Sequence, residues 1–323
     1  MVGLQRSRQV HGWKEAASML LSIFCVTNEN QLDKKRDHPM KNLISLVTGG
    51  TSGIGKSVAL ALATRGSKVV VVGRDLQKTN VVCENISRVT ENKSIFPMTA
   101  DLSSRGDIDR LVENLYTQFS QLDILINNAG SIFFNRKQSI DGIEMTFALN
   151  HLNYFLLSNL LLDLLLRSPN PKIINVSSSS HERSHLDFAD LQLRCNYRAW
   201  RAYGRSKLAN LLFTYQMDRN LQKSNITVNA VHPGLVATNF LASNNKSFIA
   251  RFLNLFLRFG ISPDESAEHI MDILVSSELQ GTSGKYFVGG KIEKSAPQSY
   301  NETDAKKLWM LSNKLAGTDF PAH

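Results

Sequence analysis

Cysteine is scarce in this chain, which has only three cysteines among its 323 residues. Cys25, Cys83 and Cys195 lie far apart and form no C-x-x-C pair. This spacing argues against a disulfide framework and against a zinc site, and it suits a reducing compartment. We therefore expect no metal site.

Long hydrophobic runs are also lacking. The apolar stretch of residues 16–26 is interrupted by two serines, and it is much shorter than the ~20 residues of a membrane-spanning helix. Residues 1–40 are interpreted as an N-terminal extension that could anchor or target the protein. A signal-type segment, an arginine-rich transit peptide, a shallow membrane anchor and a plain surface helix all stay open.

Acidic residues are outnumbered by basic ones, and the net charge is +9. A solvated basic surface is the simplest explanation, followed by phosphate ligands or an anionic membrane surface. The basic residues are dispersed, and no zinc-finger or aromatic RNA-binding signature accompanies them. Nucleic acid is therefore not an expected partner.

Short apolar segments alternate with amphipathic ones from residue 43 onward. Segments rich in Val, Ile or Leu predict buried strands at residues 43–48, 68–73, 94–98, 123–127, 172–176 and 227–231. Helical patterns lie between them, at residues 54–65, 77–89, 105–119, 142–167 and 201–221. This alternation predicts an α/β fold with a parallel, doubly wound sheet, in one domain from about residue 41.

A glycine-rich loop follows the first predicted strand. Residues 50–57 fit G-x-x-x-x-G-K-[ST], the phosphate loop of a nucleotide triphosphatase, whereas residues 49–55 read G-x-x-x-G-x-G, close to a dinucleotide-binding turn. Both need a strand before the loop and a helix after it. Asp75 and Asp101 lie near strand ends, where a carboxylate could hold magnesium. A magnesium-dependent triphosphatase therefore stays an alternative interpretation.

The second predicted strand ends in Gly73 and Arg74. An enzyme that prefers NAD carries an acidic residue near this point to bind the ribose, whereas a guanidinium can pair with a 2′-phosphate. Arg74 therefore favours NADP, although a solvated loop cation is the simpler interpretation of this residue alone.

Tyr203 and Lys207 lie four residues apart on a predicted helix, hence on one face. A neighbouring ammonium is expected to lower the tyrosine pKa, which would let the phenol exchange a proton with a reacting oxygen. Ser178 follows the fifth predicted strand, and the small residues of Asn127-Asn128-Ala129-Gly130 end the fourth. Each of these motifs is common by chance when it stands alone.

Taken in chain order, these motifs resemble the short-chain dehydrogenase/reductase family over about residues 41–288. The resemblance rests on Thr48 with the glycines of residues 49–55, on residues 127–130, Asn150, Ser178, Tyr203 with Lys207, and Pro233-Gly234. The resemblance implies a single-domain, Rossmann-type fold with helices on both faces of a doubly wound parallel sheet. It implies catalytic roles for Asn150, Ser178, Tyr203 and Lys207. It implies that the cofactor contacts Gly49, Thr51, Ser52, Gly53, Ile54, Gly55, Arg74, Asp101, Leu102, Asn128, Ala129, Gly130, Tyr203, Lys207, Pro233, Gly234 and Thr238.

Within that family, residues 52–56, 150–157 and 203–213 are most similar to the retinol dehydrogenase branch. The branch implies NADP(H), a lipophilic aldehyde or alcohol substrate and an intracellular, membrane-associated protein. The endoplasmic reticulum is favoured over mitochondria or cytosol, and peripheral membrane contact and a homodimer are expected. Residues 181–200 look inserted over the active-site mouth.

The resemblance also implies a lid over the substrate, at about residues 239–262. Within it, residues 246–260 form an apolar helical pattern with one narrow polar stripe. A core or dimer helix and a membrane-surface helix are the alternatives.

The expected function is an NADP(H)-dependent oxidoreductase that interconverts a lipophilic aldehyde or ketone and its alcohol, with Tyr203 as acid/base. A steroid or other lipid ketone is the alternative substrate. A nucleotide-binding partner protein with little turnover is the alternative from another class.

Overall fold

The computed structural model describes residues 40–234 and 261–322. The N-terminal extension up to residue 39, Thr238 and nearly all of the expected lid lie outside the described residues. The boundaries of extension, domain and lid therefore stay predictions.

The described residues contain an eight-stranded sheet in the order β3-β2-β1-β4-β5-β6-β7-β8. Neighbouring strands are parallel except β7 and β8, which are antiparallel. The strands are β1 Ile44–Thr48, β2 Lys68–Gly73, β3 Ile95–Thr99, β4 Ile124–Asn127, β5 Lys172–Val176, β6 Thr227–His232, β7 Tyr286–Val288 and β8 Lys291–Glu293. The predicted parallel, doubly wound sheet is confirmed, and the six predicted strands match to within one residue at each end.

Helices cover both faces of the sheet. They are α1 Gly53–Thr64, α2 Leu76–Thr90, α3 Arg105–Gln118, α4 Asn153–Leu160, α5 Leu162–Leu166, α6 Ala199–Asn220, α7 Pro263–Val275 and α8 Glu302–Ala316. Apolar side chains of α1, α2 and α7 fill the core on one face, and those of α3, α4, α6 and α8 fill the core on the other. The sheet is thus buried on both sides, which explains why its central strands are continuous apolar runs.

The helix predicted over residues 142–167 begins three residues later than predicted and is divided into consecutive segments that end at Leu166. Glu144 accepts hydrogen bonds from the amides of Thr146 and Phe147, so the helix starts only at Met145–Phe147. The chain then widens into a π-helical turn, Ala148–Leu152, before α4 begins. Such a widening is frequent at functional sites, and this one contains Asn150.

Helix α8 covers the outer side of α4 and α6. The Trp309 ring stacks on Phe213 of α6 at 5.8 Å between centroids and meets Phe155 of α4 edge-on at 5.0 Å. Asn301 caps the amino end of α8 by accepting from the Asp304 amide, and Gly317 ends it in the left-handed region. The helix that carries Tyr203 is therefore held from behind by the C-terminal part of the chain.

We expect Trp309→Ala to lower the free energy of unfolding by about 3–5 kcal/mol, because it opens a cavity between α6 and α8. Met310→Ala is the matched control, since Met310 is 60% exposed and Trp309 only 3%, and it should stay within about 0.5 kcal/mol of the wild type. Urea unfolding followed by circular dichroism measures both. Equal losses in the two variants would show that α8 does not support the core.

Candidate active site

The glycine-rich loop joins β1 to the amino end of α1. A side chain at Gly55 would place its Cβ 2.4 Å from the Gly49 carbonyl oxygen, so only glycine allows the loop to close this tightly. Ser52 makes no capping hydrogen bond, and the first turn of α1 contains no acidic residue. The first-turn amides are therefore suited to an anion such as a phosphate. Thr51, Ser52 and Ile54 lie in the same loop and first turn.

Asn128 and Thr48 hold this loop in place. The Asn128 side-chain amide donates to the Thr48 carbonyl at 2.8 Å. The Thr48 hydroxyl accepts from the backbone amides of Asn128 and Ala129 at 2.8 and 3.0 Å. Asn128 thus braces the loop against the end of β4, and Thr48, which sequence analysis did not assign to the site, is its partner. Its position at the strand end, just before the first glycine, was the available signal.

The end of β2 has no room for an acidic side chain. A Cβ on Gly73 would lie 2.3 Å from the Thr79 hydroxyl and 2.4 Å from the Thr51 methyl group. The next residue, Arg74, is exposed and has no hydrogen-bond or ion-pair partner within residues 40–234 and 261–322. Arg74 directly follows Gly73, which lies close to Thr51 of the glycine-rich loop, and its side chain is exposed to solvent.

The carboxylates proposed for magnesium binding are both engaged in local structure. Asp75 caps α2 by accepting from the Lys78 amide at 2.8 Å. Asp101 accepts from the amide and the hydroxyl of Ser103 at 3.0 and 2.7 Å. The Leu102 side chain is buried in the apolar core. Each aspartate thus has a local structural role, which accounts for its position near a strand end without a magnesium ion.

Ser178, Tyr203 and Lys207 meet at the carboxyl end of β5. The Lys207 Nζ donates to the Val176 carbonyl at 2.9 Å and lies 5.6 Å from the centroid of the Tyr203 ring. The Ser177 hydroxyl donates to the Lys207 carbonyl at 3.0 Å, and the Ser178 hydroxyl shares a hydrogen bond with Tyr203. The sheet and α6 thus bring together three residues that the sequence places up to 29 positions apart.

Burial controls the ionisation of this group. It raises the pKa of Tyr203 to about 12, an effect that the Ser178 hydrogen bond partly opposes. It lowers the pKa of the Lys207 amine to about 7. The expected lowering of the tyrosine pKa is therefore wrong, because burial of the phenol raises that pKa. Burial also removes part of the lysine charge on which the expected effect depends.

Asn150 is fully buried behind Lys207. Its side-chain oxygen accepts from the Ser131 amide at 2.8 Å, and its side-chain amide donates to the Ser206 hydroxyl at 3.0 Å. Its backbone carbonyl accepts from the Asn210 side chain at 2.9 Å. Gly130 lies against both Asn150 and Lys207. Asn210, which sequence analysis missed, is thus part of the same polar cluster.

Pro233 and Gly234 directly follow β6, and the Ser266 hydroxyl of α7 donates to the Pro233 carbonyl. They lie at the same carboxyl edge of the sheet as Ser178, which is where ligands bind in open α/β folds.

A cavity of about 810 Å³ opens beside the serine turn. Residues 179, 180 and 182–187 line it together with Trp200, Arg201 and Arg205. The Trp200 ring is 52% exposed and meets the Tyr203 ring edge-on at 6.4 Å. Part of the segment 181–200 therefore lines a cavity next to the turn that follows Ser178. That this segment is an insertion over the active-site mouth stays a prediction.

Similarity to known proteins shows the family to which this fold belongs. The sequence profile described as short chain dehydrogenase matches residues 44–248, more than half of the chain. The chain belongs to the short-chain dehydrogenase family. It is therefore an oxidoreductase of a family that uses a nicotinamide cofactor, and the predicted family is confirmed.

Curated relatives of this short-chain dehydrogenase include retinol dehydrogenases. It is 38% identical over 282 residues to Homo sapiens retinol dehydrogenase 13, covering 86% of this chain and 85% of that protein. It is 36% identical over 290 residues to Homo sapiens polyprenol dehydrogenase, with 86% of each chain covered. The predicted similarity to the retinol dehydrogenase branch is thus confirmed.

Solved structures agree with the fold. A Mycobacterium paratuberculosis protein shares 28% identity at a TM-score of 0.71, over 88% of this chain and 97% of that one. The NADP complex of Pseudomonas aeruginosa RhlG shares 25% identity at a TM-score of 0.62, over 81% of this chain and 99% of that one. Among the described residues of this short-chain dehydrogenase, no helix has the length and apolarity to cross a bilayer.

The lowered pKa of Lys207 has a measurable consequence for stability. Between the native pKa of about 7 and the ordinary lysine pKa of 10.5, the unfolded chain binds a proton at this site that the native protein lacks, so stability rises with pH. The slope of unfolding free energy between about pH 8 and about pH 9.5 should be steeper in the wild type than in Lys207→Met by about 1.4 kcal/mol per pH unit. Urea titrations at several pH values measure both slopes. Equal slopes would show that Lys207 stays charged in the native protein.

Proposed function

We propose that this short-chain dehydrogenase is an NADP(H)-dependent oxidoreductase that interconverts a lipophilic aldehyde or ketone and its alcohol. The observation that carries the proposal is the meeting of Ser178, Tyr203 and Lys207 at the carboxyl end of β5. The names of the retinol and polyprenol dehydrogenases support a lipophilic alcohol as substrate class. Steroid and other lipid ketones are the alternative substrates.

The residues at the carboxyl edge of the sheet fit a dinucleotide. The tight loop of residues 49–55 would leave the α1 amides for the pyrophosphate. Asn128 lies against Gly49 of this loop, and Lys207 lies beside the Tyr203 ring. Arg74 would bind the 2′-phosphate, because the adjoining Gly73 position has no space for a ribose-binding acid. When bound, a nicotinamide dinucleotide supplies the hydride that the carbonyl carbon accepts.

Tyr203 would exchange the proton of the substrate oxygen. With a pKa of about 12 the phenol is protonated at neutral pH, so it can donate to a carbonyl oxygen during reduction. Ser178 would donate a hydrogen bond to the same oxygen and hold it within reach of Tyr203. In the oxidation direction Tyr203 must lose its proton, which a protonated Lys207 would favour through its positive charge.

Asn150 would keep Lys207 and the adjoining α6 residues in position, because its side chain joins Ser131 to Ser206. Contact with an intracellular membrane, an endoplasmic reticulum location and homodimer formation stay predictions.

We expect Tyr203→Phe to lower kcat by at least about 100-fold, because phenylalanine has no proton to exchange. Tyr197→Phe is the matched control: Tyr197 is a half-buried tyrosine nearby, but its hydroxyl donates to the Phe133 carbonyl. The assay follows NADPH consumption with retinoids, aliphatic aldehydes and steroid ketones. Unchanged turnover in Tyr203→Phe with every substrate that the wild type reduces would refute the catalytic role.

Arg74→Ala should weaken NADPH binding by about 10-fold or more, because a charge-assisted hydrogen bond to the 2′-phosphate is lost. NADH binding should change by less than about twofold, since NADH has no such phosphate. Arg88→Ala removes another exposed arginine, at the far end of α2, and should affect neither cofactor. Quenching of tryptophan fluorescence measures the affinities, and an equal loss for NADPH and NADH would show that Arg74 does not select the cofactor.

A further inference from the structure

His181 lies three residues after Ser178, in the short turn Ser179–His181, and is fully buried. Its Nδ1 is 2.6 Å from the Ser178 carbonyl oxygen, and its Nε2 is 3.1 Å from the backbone nitrogen of Ala296. A carbonyl can only accept a hydrogen bond and an amide can only donate one. The Nδ1 atom therefore carries the proton and Nε2 is bare, so two backbone groups fix one neutral tautomer.

The segment that meets His181 is itself attached to the helix that carries Tyr203. The Ser295 hydroxyl is 2.6 Å from the hydroxyl of Tyr215 on α6, and the Tyr215 and Tyr300 rings stack at 5.1 Å. The Gln298 side chain donates to the carbonyls of residues 181, 182 and 184. Residues 295–300 thus join the turn after Ser178 to α6, and His181 is a fully buried side chain at this junction.

We propose that His181 is a positioning residue that sets the orientation of Ser178 toward Tyr203. The inference rests on the proposed function, because it concerns the serine that holds the substrate oxygen. Ser178 has its backbone carbonyl fixed by His181, while its hydroxyl accepts from the Ser180 amide at 3.2 Å. With both groups held, the hydroxyl keeps one direction relative to Tyr203. The same carbonyl also accepts from the His181 backbone amide at 3.2 Å. Loss of the shorter bond from the ring would leave the carbonyl with that one longer bond and let the serine turn shift.

The surroundings keep His181 uncharged. Burial lowers its pKa, which outweighs the opposing effects of the Ser178 carbonyl and of Glu182. His232 also faces it, and the Tyr286 ring lies edge-on at 5.2 Å. A proton on Nε2 would meet the Ala296 amide donor, which disfavours the charged form.

Two substitutions separate the two hydrogen bonds. The side-chain amide of H181N can reach the position of Nδ1 and keep the bond to Ser178, whereas that of H181Q extends toward the position of Nε2 and can accept from Ala296. Each variant loses one buried hydrogen bond, so both should melt at similarly lowered temperatures. H181Q should lose about 10-fold or more in kcat because Ser178 is misplaced, while H181N should retain kcat within about threefold.

The Michaelis constant and the affinity for NADPH should stay within about twofold in both variants, since His181 touches neither ligand in this account. If the wild type turns over, three results would overturn the proposal. They are equal losses of kcat in H181N and H181Q, no loss in either variant, and a larger loss in H181N. A wild type that reduces no carbonyl substrate would instead refute the proposed function.

The tautomer provides a readout that does not depend on turnover. In ¹⁵N-labelled protein, long-range ¹H–¹⁵N correlations of the ring, assigned by their absence in H181N, should show a neutral imidazole protonated at Nδ1. A ring protonated at Nε2 or at both nitrogens would overturn the assignment to the Ser178 carbonyl.

Discussion

The buried hydrogen bond between Lys207 Nζ and the Val176 carbonyl is the contact on which the rest of the site depends. It joins helix α6 to the last residue of β5, and the Ser177 hydroxyl adds a second bond between the same elements. Tyr203 lies one helical turn before Lys207, and Ser178 lies two residues after Val176. Fixing the lysine therefore fixes the distance between the proposed acid and the proposed oxygen-binding hydroxyl. The same burial that makes this bond strong also lowers the lysine pKa to about 7, so its charge depends on what fills the site.

Behind the lysine, hydrogen-bond donors and acceptors match along one chain of side chains. Asn210 donates to the Asn150 carbonyl, so its side-chain oxygen is left to accept from Nδ1 of His151 at 3.2 Å. The other His151 nitrogen then accepts from the Ser312 hydroxyl of α8 at 3.1 Å. Burial lowers the His151 pKa to about 4, which keeps this ring neutral. The C-terminal helix is thus connected to the π-helical turn that holds Asn150, by polar contacts as well as by the packing of Trp309.

The central strands could be predicted because a strand buried on both faces is a continuous apolar run, and the fold class followed from their alternation with helices. Local spacing also identified Tyr203 and Lys207, but it gave no measure of burial, and so the direction of the tyrosine pKa was wrong. Other features depend on contacts that are distant in sequence. His181 meets Ala296 across 115 positions, and the π-helical turn around Asn150 is supported by Asn210, 60 positions away. No pattern within a single segment reports such pairings. The lid and the N-terminal extension stay predictions.

The central claim is that Ser178, Tyr203 and Lys207 form a site for reduction of a lipophilic carbonyl by NADPH. Transfer of deuterium from NADPH labelled at nicotinamide C4 tests it most directly, with mass spectrometry of the alcohol as the readout. We expect one deuterium at the former carbonyl carbon with either the pro-R or the pro-S labelled cofactor, and none with the other. The account would be contradicted if no labelled alcohol formed with either labelled cofactor from any of the retinoids, aliphatic aldehydes and steroid ketones.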